Sequence, residues 1–165
     1  MKTTVAPRRA FLAVLALGWL LLTWASAWGS VVHAARAGEN DFFTFLDSCD
    51  QFRRGLSLYT PLRLVPGPDG SQLNHANLNH PLVTLLMLPL DALPREAAFW
   101  AWDALGVAAY GAALALAARA LRLRLDPAGW VFLLALAATA PGVLYSLQLG
   151  QFGLLLALPV VVLWL

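Results

Sequence analysis

Residues 10–32, AFLAVLALGWLLLTWASAWGSVV, carry no charged side chain. A helix of about 23 residues, rising about 1.5 Å each, reaches about 34 Å and crosses the roughly 30 Å hydrocarbon core of a bilayer. The run reads as a membrane span, and the composition agrees. The 165 residues are 60% hydrophobic and 12% charged, with seven Trp, and the mean hydropathy is +0.69. A soluble domain carries about 25% charged residues, so most of these side chains have lipid as their natural solvent. The net charge of +2 is small and the Arg residues gather in short segments, which gives no nucleic-acid-binding face. Cys49 is the single cysteine, excluding an intramolecular disulfide framework and a Cys-based zinc site.

Further apolar segments extend the membrane reading. Residues 97–118 form a second span interrupted by Asp103, an acid whose place inside a span makes it a functional candidate. Arg95 or the membrane surface could satisfy it. Residues 128–147 form a third, opened by Asp126-Pro127, an N-cap and first-turn pair. Residues 152–165 would reach only about 21 Å, so this fourth span is incomplete. The expectation is an all-α integral membrane fold with about four transmembrane helices. On this reading residues 1–165 are the N-terminal part of a single longer domain, inactive alone. Ala25-Ser26-Ala27 resembles a signal-peptide cleavage site, but the apolar run continues through Val32, which suits an uncleaved anchor.

Residues 80–94, HPLVTLLMLPLDALP, set the topology. Lys2, Arg8 and Arg9 precede the first span, and Arg119, Arg122 and Arg124 follow the second. Cytoplasmic flanks are enriched in Lys and Arg, and both clusters face the cytoplasm only if residues 80–94 do not cross. That segment is short and broken by Pro81, Pro89 and Pro94, as an interfacial helix would be. Residues 33–96 then form an outer loop, and the 148–151 turn lies on the same side. Residues 66–70, Pro-Gly-Pro-Asp-Gly, read as a turn-rich linker.

Within that loop residues 40–59, NDFFTFLDSCDQFRRGLSLY, place polar and acidic groups directly after the first span. Phe42, Phe45, Leu46, Cys49 and Phe52 recur every three or four residues, which predicts a helix lying in the interface with its aromatic face in lipid. Asp50 and Arg54 make a favourable i,i+4 pair, and Gly55 ends the helix at C′. Asp47 and Asp50 read as solvated acids. Asp41 stands at the helix start. Spacing alone allows an N-cap or a carboxylate held at the membrane for chemistry. His75 and His80 could bind phosphate, but their spacing without an accompanying acid is a weak metal signal, and no metal site is assigned. Phosphate-loop, His-Glu-x-x-His and Gly-x-Ser-x-Gly signatures are absent.

The order of these pieces resembles glycosyltransferase family 87, the polyprenyl-phosphate-mannose-dependent mannosyltransferases of the C-type membrane fold. The matching residues are Asp41, Gly55, Leu58-Tyr59, Pro81, the Leu-rich run from Leu85 to Leu90, Pro94, Trp100 and Gly150-Gln151. The chain departs from the pattern at His80-Pro81, where two prolines are common, and at Gly153, where an Asn is common.

The resemblance implies transfer of a sugar, mannose in the family, from a polyprenyl-phosphate donor to an extracytoplasmic lipid or glycan acceptor with inversion. It also implies a bacterial plasma membrane, Asp41 as catalytic base, and no cofactor. A sugar on a lipid phosphate has a good leaving group, so the reaction needs chiefly a base for the acceptor hydroxyl, worth about 10²–10⁴-fold, and cations for the phosphate. Arg53, Arg54, Tyr59, His80 and Gln151 are the candidate substrate contacts, with Arg63 a further cation in the loop. A non-catalytic membrane protein, a transporter or assembly subunit whose outer loop binds a partner, is the alternative.

Overall fold

The computed structural model describes residues 5–38, 40–59, 63–66, 72–75 and 80–165, with side chains described for residues 11–38, 40–59 and 80–165. Lys2 and residues 67–70 lie outside the described residues, as do the side chains of Arg8, Arg9, Arg63 and His75. The described residues are all-α except for one small hairpin. Helix α1 runs Val5–Ala37, α2 Asp41–Arg53, α3 Pro81–Met87, α4 Arg95–Ala120, α5 Pro127–Ala138, α6 Pro141–Leu149 and α7 Gly153–Trp164. Strands β1 (Arg63–Pro66) and β2 (Gln72–His75) pair antiparallel, with Val65 opposite Leu73. Of the expected linker over 66–70 only Pro66 is described, as the last residue of β1; the flanking hairpin itself was not expected. Its four-residue strands are too short for an alternating pattern to stand out in sequence.

Two helical runs, one built on α1 and the other α4, are long and apolar enough to cross a membrane, and the α5–α6 pair can supply a third crossing. That pair covers the third span expected over 128–147 as two helices, bent by 54° between Ala138 and Pro141. Pro141 has no N–H for the helix ladder and holds Ala140 in extended backbone, φ −58° and ψ 130°. The Thr139 hydroxyl donates back to the Ala135 carbonyl at 2.8 Å and accepts from Trp19 Nε1 at 3.3 Å, tying the bend to α1.

Helix α1 packs along α5 and α6, α4 along α7, and α2 against α3. Leu12, near the start of α1, shares a cavity of about 250 Å³ with Asp126, Gly129 and Phe132 at the start of α5. At the other end, Asn40 Nδ2, just past α1, donates to the Gln148 carbonyl at the end of α6 at 3.3 Å. Helices α1 and α5–α6 therefore run in the same direction. Helix α4 runs against them, its start packed on α2 and its end leading into α5. Helix α3 and the short 3₁₀ turn Leu90–Ala92 stay at the α2 end. Seven residues in a helix span only about 10 Å.

Helix α2 departs from the expected placement. Phe42, Phe45, Leu46 and Cys49 are buried as the periodicity requires, but in protein rather than lipid. They join Phe43, Met87, Phe99, Trp102, Leu147 and Leu154 in one core. Phe42 meets Phe99 edge-on at 5.7 Å, and Phe45 packs on Phe152 at 5.1 Å. Phe52, the last residue of the predicted stripe, is 46% exposed. Phe52 stands seven residues after buried Phe45 and so on nearly the same side of the helix, but in the last turn of α2, so its exposure follows its place along the axis and not its angle.

Candidate functional site

The α1–α2 junction and the α6–α7 turn meet at one end of the bundle. Asn40 is the N-cap of α2, its side chain accepting from Phe43 N at 3.3 Å. Asp41 is the first helical residue, which corrects the N-cap reading of that acid by one position. Relieved of capping, the Asp41 carboxylate is free for another partner. Its Oδ2 accepts a 2.8 Å hydrogen bond from Gln151 Nε2, 110 residues away. Two residues singled out separately in the sequence are thus in direct contact.

The turn that delivers Gln151 depends on Gly150. This residue ends α6 in the left-handed region, φ 64° and ψ 39°, which costs an ordinary residue about 1–2 kcal/mol. A side chain there would also overlap the Cβ of Phe42 and crowd the Phe99 ring. The Gly150 carbonyl accepts from Trp102 Nε1 at 2.9 Å, so α4 fixes the turn from the other side. Gln151 N donates to the Ser146 carbonyl at 2.9 Å. Three elements therefore hold the Gly-Gln pair against Asp41.

Beside this contact lies a cavity of about 390 Å³, lined by Gly29, Ser30, His33, Ala34, Ala37, Asn40, Gln148 and Leu149. Small residues on α1 open the space, and Ser30, His33, Asn40 and Gln148 give it a polar wall. Sequence reading missed Ser30, His33 and Gln148. Their only sequence signal is the three-residue spacing of Ser30 and His33, which puts both on one face at the end of an apolar span.

The remaining predicted site residues lie elsewhere. Arg53 pairs with Asp91 at 2.6 Å and Arg54 with Asp50 at 2.9 Å. Both arginines sit at the far end of α2, their backbones about 18 Å along the axis from that of Asp41. Helix α2 ends in a Schellman turn: Gly55, at φ 67°, donates to Phe52 O and Leu56 donates to Gln51 O. Tyr59 is exposed beyond it. His80 caps α3, its Nδ1 accepting from Leu82 N at 3.2 Å. The described contacts do not bring Tyr59 or His80 to Asp41.

Two other acids differ from expectation. Asp47 is no solvated acid. Its side chain is 13% exposed and binds Arg95 at 2.7 Å, while that guanidinium also lies 5.2 Å over the Phe43 ring. Arg95 is thereby taken from Asp103. Asp103 is buried, and its Oδ2 has no hydrogen-bond partner among the described residues. No metal-binding group of His, Cys, Asp and Glu is present among the described residues.

A model of glycosyltransferase family 87 matches residues 77–165. No curated protein and no solved structure matches the chain. The matched segment carries α3 through α7, including Pro81, Pro94, Trp102 and the Gly150-Gln151 turn. It stops short of α1, α2 and Asp41, so it is narrower than the pattern that the sequence resembles. It nevertheless covers more than half of a chain whose longest helices are apolar enough to cross a membrane, and on that match the chain belongs to glycosyltransferase family 87, as a membrane glycosyltransferase.

Proposed function

We propose that this glycosyltransferase moves a hexosyl group, mannosyl on the family resemblance, from a polyprenyl-phosphate donor to a lipid or glycan acceptor. Asp41 is the base that takes the acceptor hydroxyl's proton, and attack opposite the phosphate inverts the anomeric centre. The observation that carries this reading is the Asp41–Gln151 hydrogen bond beside the 390 Å³ cavity. A base needs a fixed carboxylate within hydrogen-bond reach of its substrate. Gln151 holds Oδ2, so Oδ1 is the oxygen that accepts the proton. The start of α2 favours an anion there through its unsatisfied N–H groups and dipole. A lipid-linked donor suits a site at the ends of apolar helices. Its chain stays in the bilayer while phosphate and sugar reach the cavity mouth. Arg53, Arg54, Tyr59 and His80 belong to the same α1–α4 connection as candidate phosphate contacts. For that role Arg53 and Arg54 would have to leave Asp91 and Asp50 and also close the roughly 18 Å that separates them from Asp41 along α2.

The test is transfer from a radiolabelled polyprenyl-phosphate hexose in membranes containing the full-length enzyme, with protein level measured. Asp41→Asn retains an oxygen for Gln151 and leaves the Asn40 cap intact, so folding is preserved. It removes the basic carboxylate, and turnover falls by about 10²-fold or more. Asp50→Asn, on the far turn of α2, stays within about twofold, the scale of an exposed ion pair. An Asp41→Asn enzyme with normal turnover would end the assignment. Equal use of a nucleotide sugar in place of the lipid donor would end the donor reading.

A further inference from the structure

We infer that the cavity between α1 and α6 is a subsite for a hexopyranose ring, held by Ser30, His33 and Gln148. The inference rests on the glycosyltransferase reading and assigns a ligand to residues so far without a role. The volume of about 390 Å³ lies in the range of small-molecule sites, roughly 300–1,000 Å³. The floor is nearly free of side chains, because Gly29, Ala34 and Ala37 line it. A bulky rigid ring can therefore approach the α1 backbone closely.

The polar wall specifies the chemistry. Serine hydroxyl, imidazole and carboxamide groups each both donate and accept hydrogen bonds. Sugar hydroxyls do the same, so every wall residue can satisfy a hydroxyl in either sense. The side chains of Ser30, His33 and Gln148 have no hydrogen-bond partner among the described residues. Asn40 is different, being already committed to Phe43 N and the Gln148 carbonyl. Ser30 and His33 are exposed near the end of α1, shortly before Arg36 in its last turn, and polar groups without partners at a lipid boundary are costly.

The same wall argues against a phosphate. Among the described residues lining the cavity there is no Lys or Arg, and phosphate recognition calls for such charge-assisted donors. The donor's phosphate accordingly lies outside this cavity. Asn40 belongs to the cavity wall and Asp41 follows it in the chain, about 3.8 Å away between Cα atoms. Asp41 is not itself a lining residue, so a ring seated here has its reacting carbon or hydroxyl at the Asn40 edge of the cavity, the edge nearest the carboxylate along the chain. The ring belongs either to the donor sugar or to a sugar of the acceptor, and kinetics separates the two.

Binding is measured first, independently of turnover, by saturation-transfer NMR on the detergent-solubilised enzyme with a panel of methyl hexopyranosides. At least one glycoside receives saturation from the wild type and from Asp41→Asn. His33→Ala and Ala34→Leu, the latter filling the floor, lose the signal, while their size-exclusion profile and melting temperature match wild type. Kinetics then follows His33→Ala and Ser30→Ala, expected to raise one KM about tenfold with kcat within about twofold. A shift in donor KM assigns the donor sugar, and a shift in acceptor KM assigns the acceptor. Absence of transfer to every glycoside, or equal transfer in wild type and both cavity variants, overturns the subsite. Normal turnover by Asp41→Asn alongside selective glycoside binding would instead overturn the base and leave the subsite standing.

Discussion

A methyl group on Gly150 would face two obstacles at once, a left-handed backbone at φ 64° and the Phe42 side chain already occupying the space. Relaxing either moves the turn that carries Gln151. Gly150→Ala is therefore expected to destabilise the protein by more than about 2 kcal/mol, adding the left-handed penalty to overpacking. A lowered melting temperature in detergent, together with lost transfer activity, is the expected pair of results. A variant that melts like wild type would show that the turn has another way to fit.

Gln151→Ala separates position from fold. It leaves Gly150 in place and frees Asp41 to rotate, so turnover drops while stability stays near wild type. Both Asp41 and Gln151 were legible in the sequence, but their contact was not, because nothing local links residues 110 apart. The cap was misplaced by one position for a simple reason. Asn40 and Asp41 are adjacent and both rank high as caps, and only the geometry shows which side chain accepts from Phe43 N.

At the scale of the element, α2 shows what periodicity can and cannot tell. The spacing of its aromatic residues located the apolar face, yet lipid and protein interior are both apolar, and a hydrophobic stripe does not say which will cover it. The charged face carried a similar ambiguity. Asp50–Arg54 was visible as an i,i+4 pair, whereas Asp47–Arg95 joins residues 48 apart and could not be read locally.

The two pairs differ in consequence. Asp50 and Arg54 are exposed, so breaking their pair costs about 0.5 kcal/mol or less. Asp47 is 13% exposed and holds a cation that also binds the Phe43 carbonyl at 3.4 Å. Asp47→Ala leaves Arg95 without its anion beside an aromatic core and is expected to cost about 1–3 kcal/mol. Thermal unfolding of Asp47→Ala and Asp50→Ala gives the comparison. Equal shifts would mean that the Arg95 contact does not anchor α4 to α2.

For the whole molecule, the two ends of the bundle can be told apart chemically. The start of α1 lies against the start of α5, next to Arg119, Arg122 and Arg124, while Asp41, Gln151 and the α2–α3 connection gather at the other end. Basic flanks favour the cytoplasmic side, so the site end is expected to face out of the cytoplasm. The protein's own cysteine makes the test clean. Cys49 is fully buried in the α2–α3 core, its thiol directed to the Thr84 carbonyl at 3.5 Å, and is expected to be silent toward a membrane-impermeant maleimide. Ser57 and Arg124 are both exposed, one after α2 and the other before α5. In intact cells the Ser57→Cys protein should label and the Arg124→Cys protein should not. In inside-out vesicles the pattern should reverse. Labelling of both positions from one side would require a second crossing between them, in addition to α4. The seven-residue α3 is too short to provide one, so that result would refute the arrangement of helices described for residues 80–120.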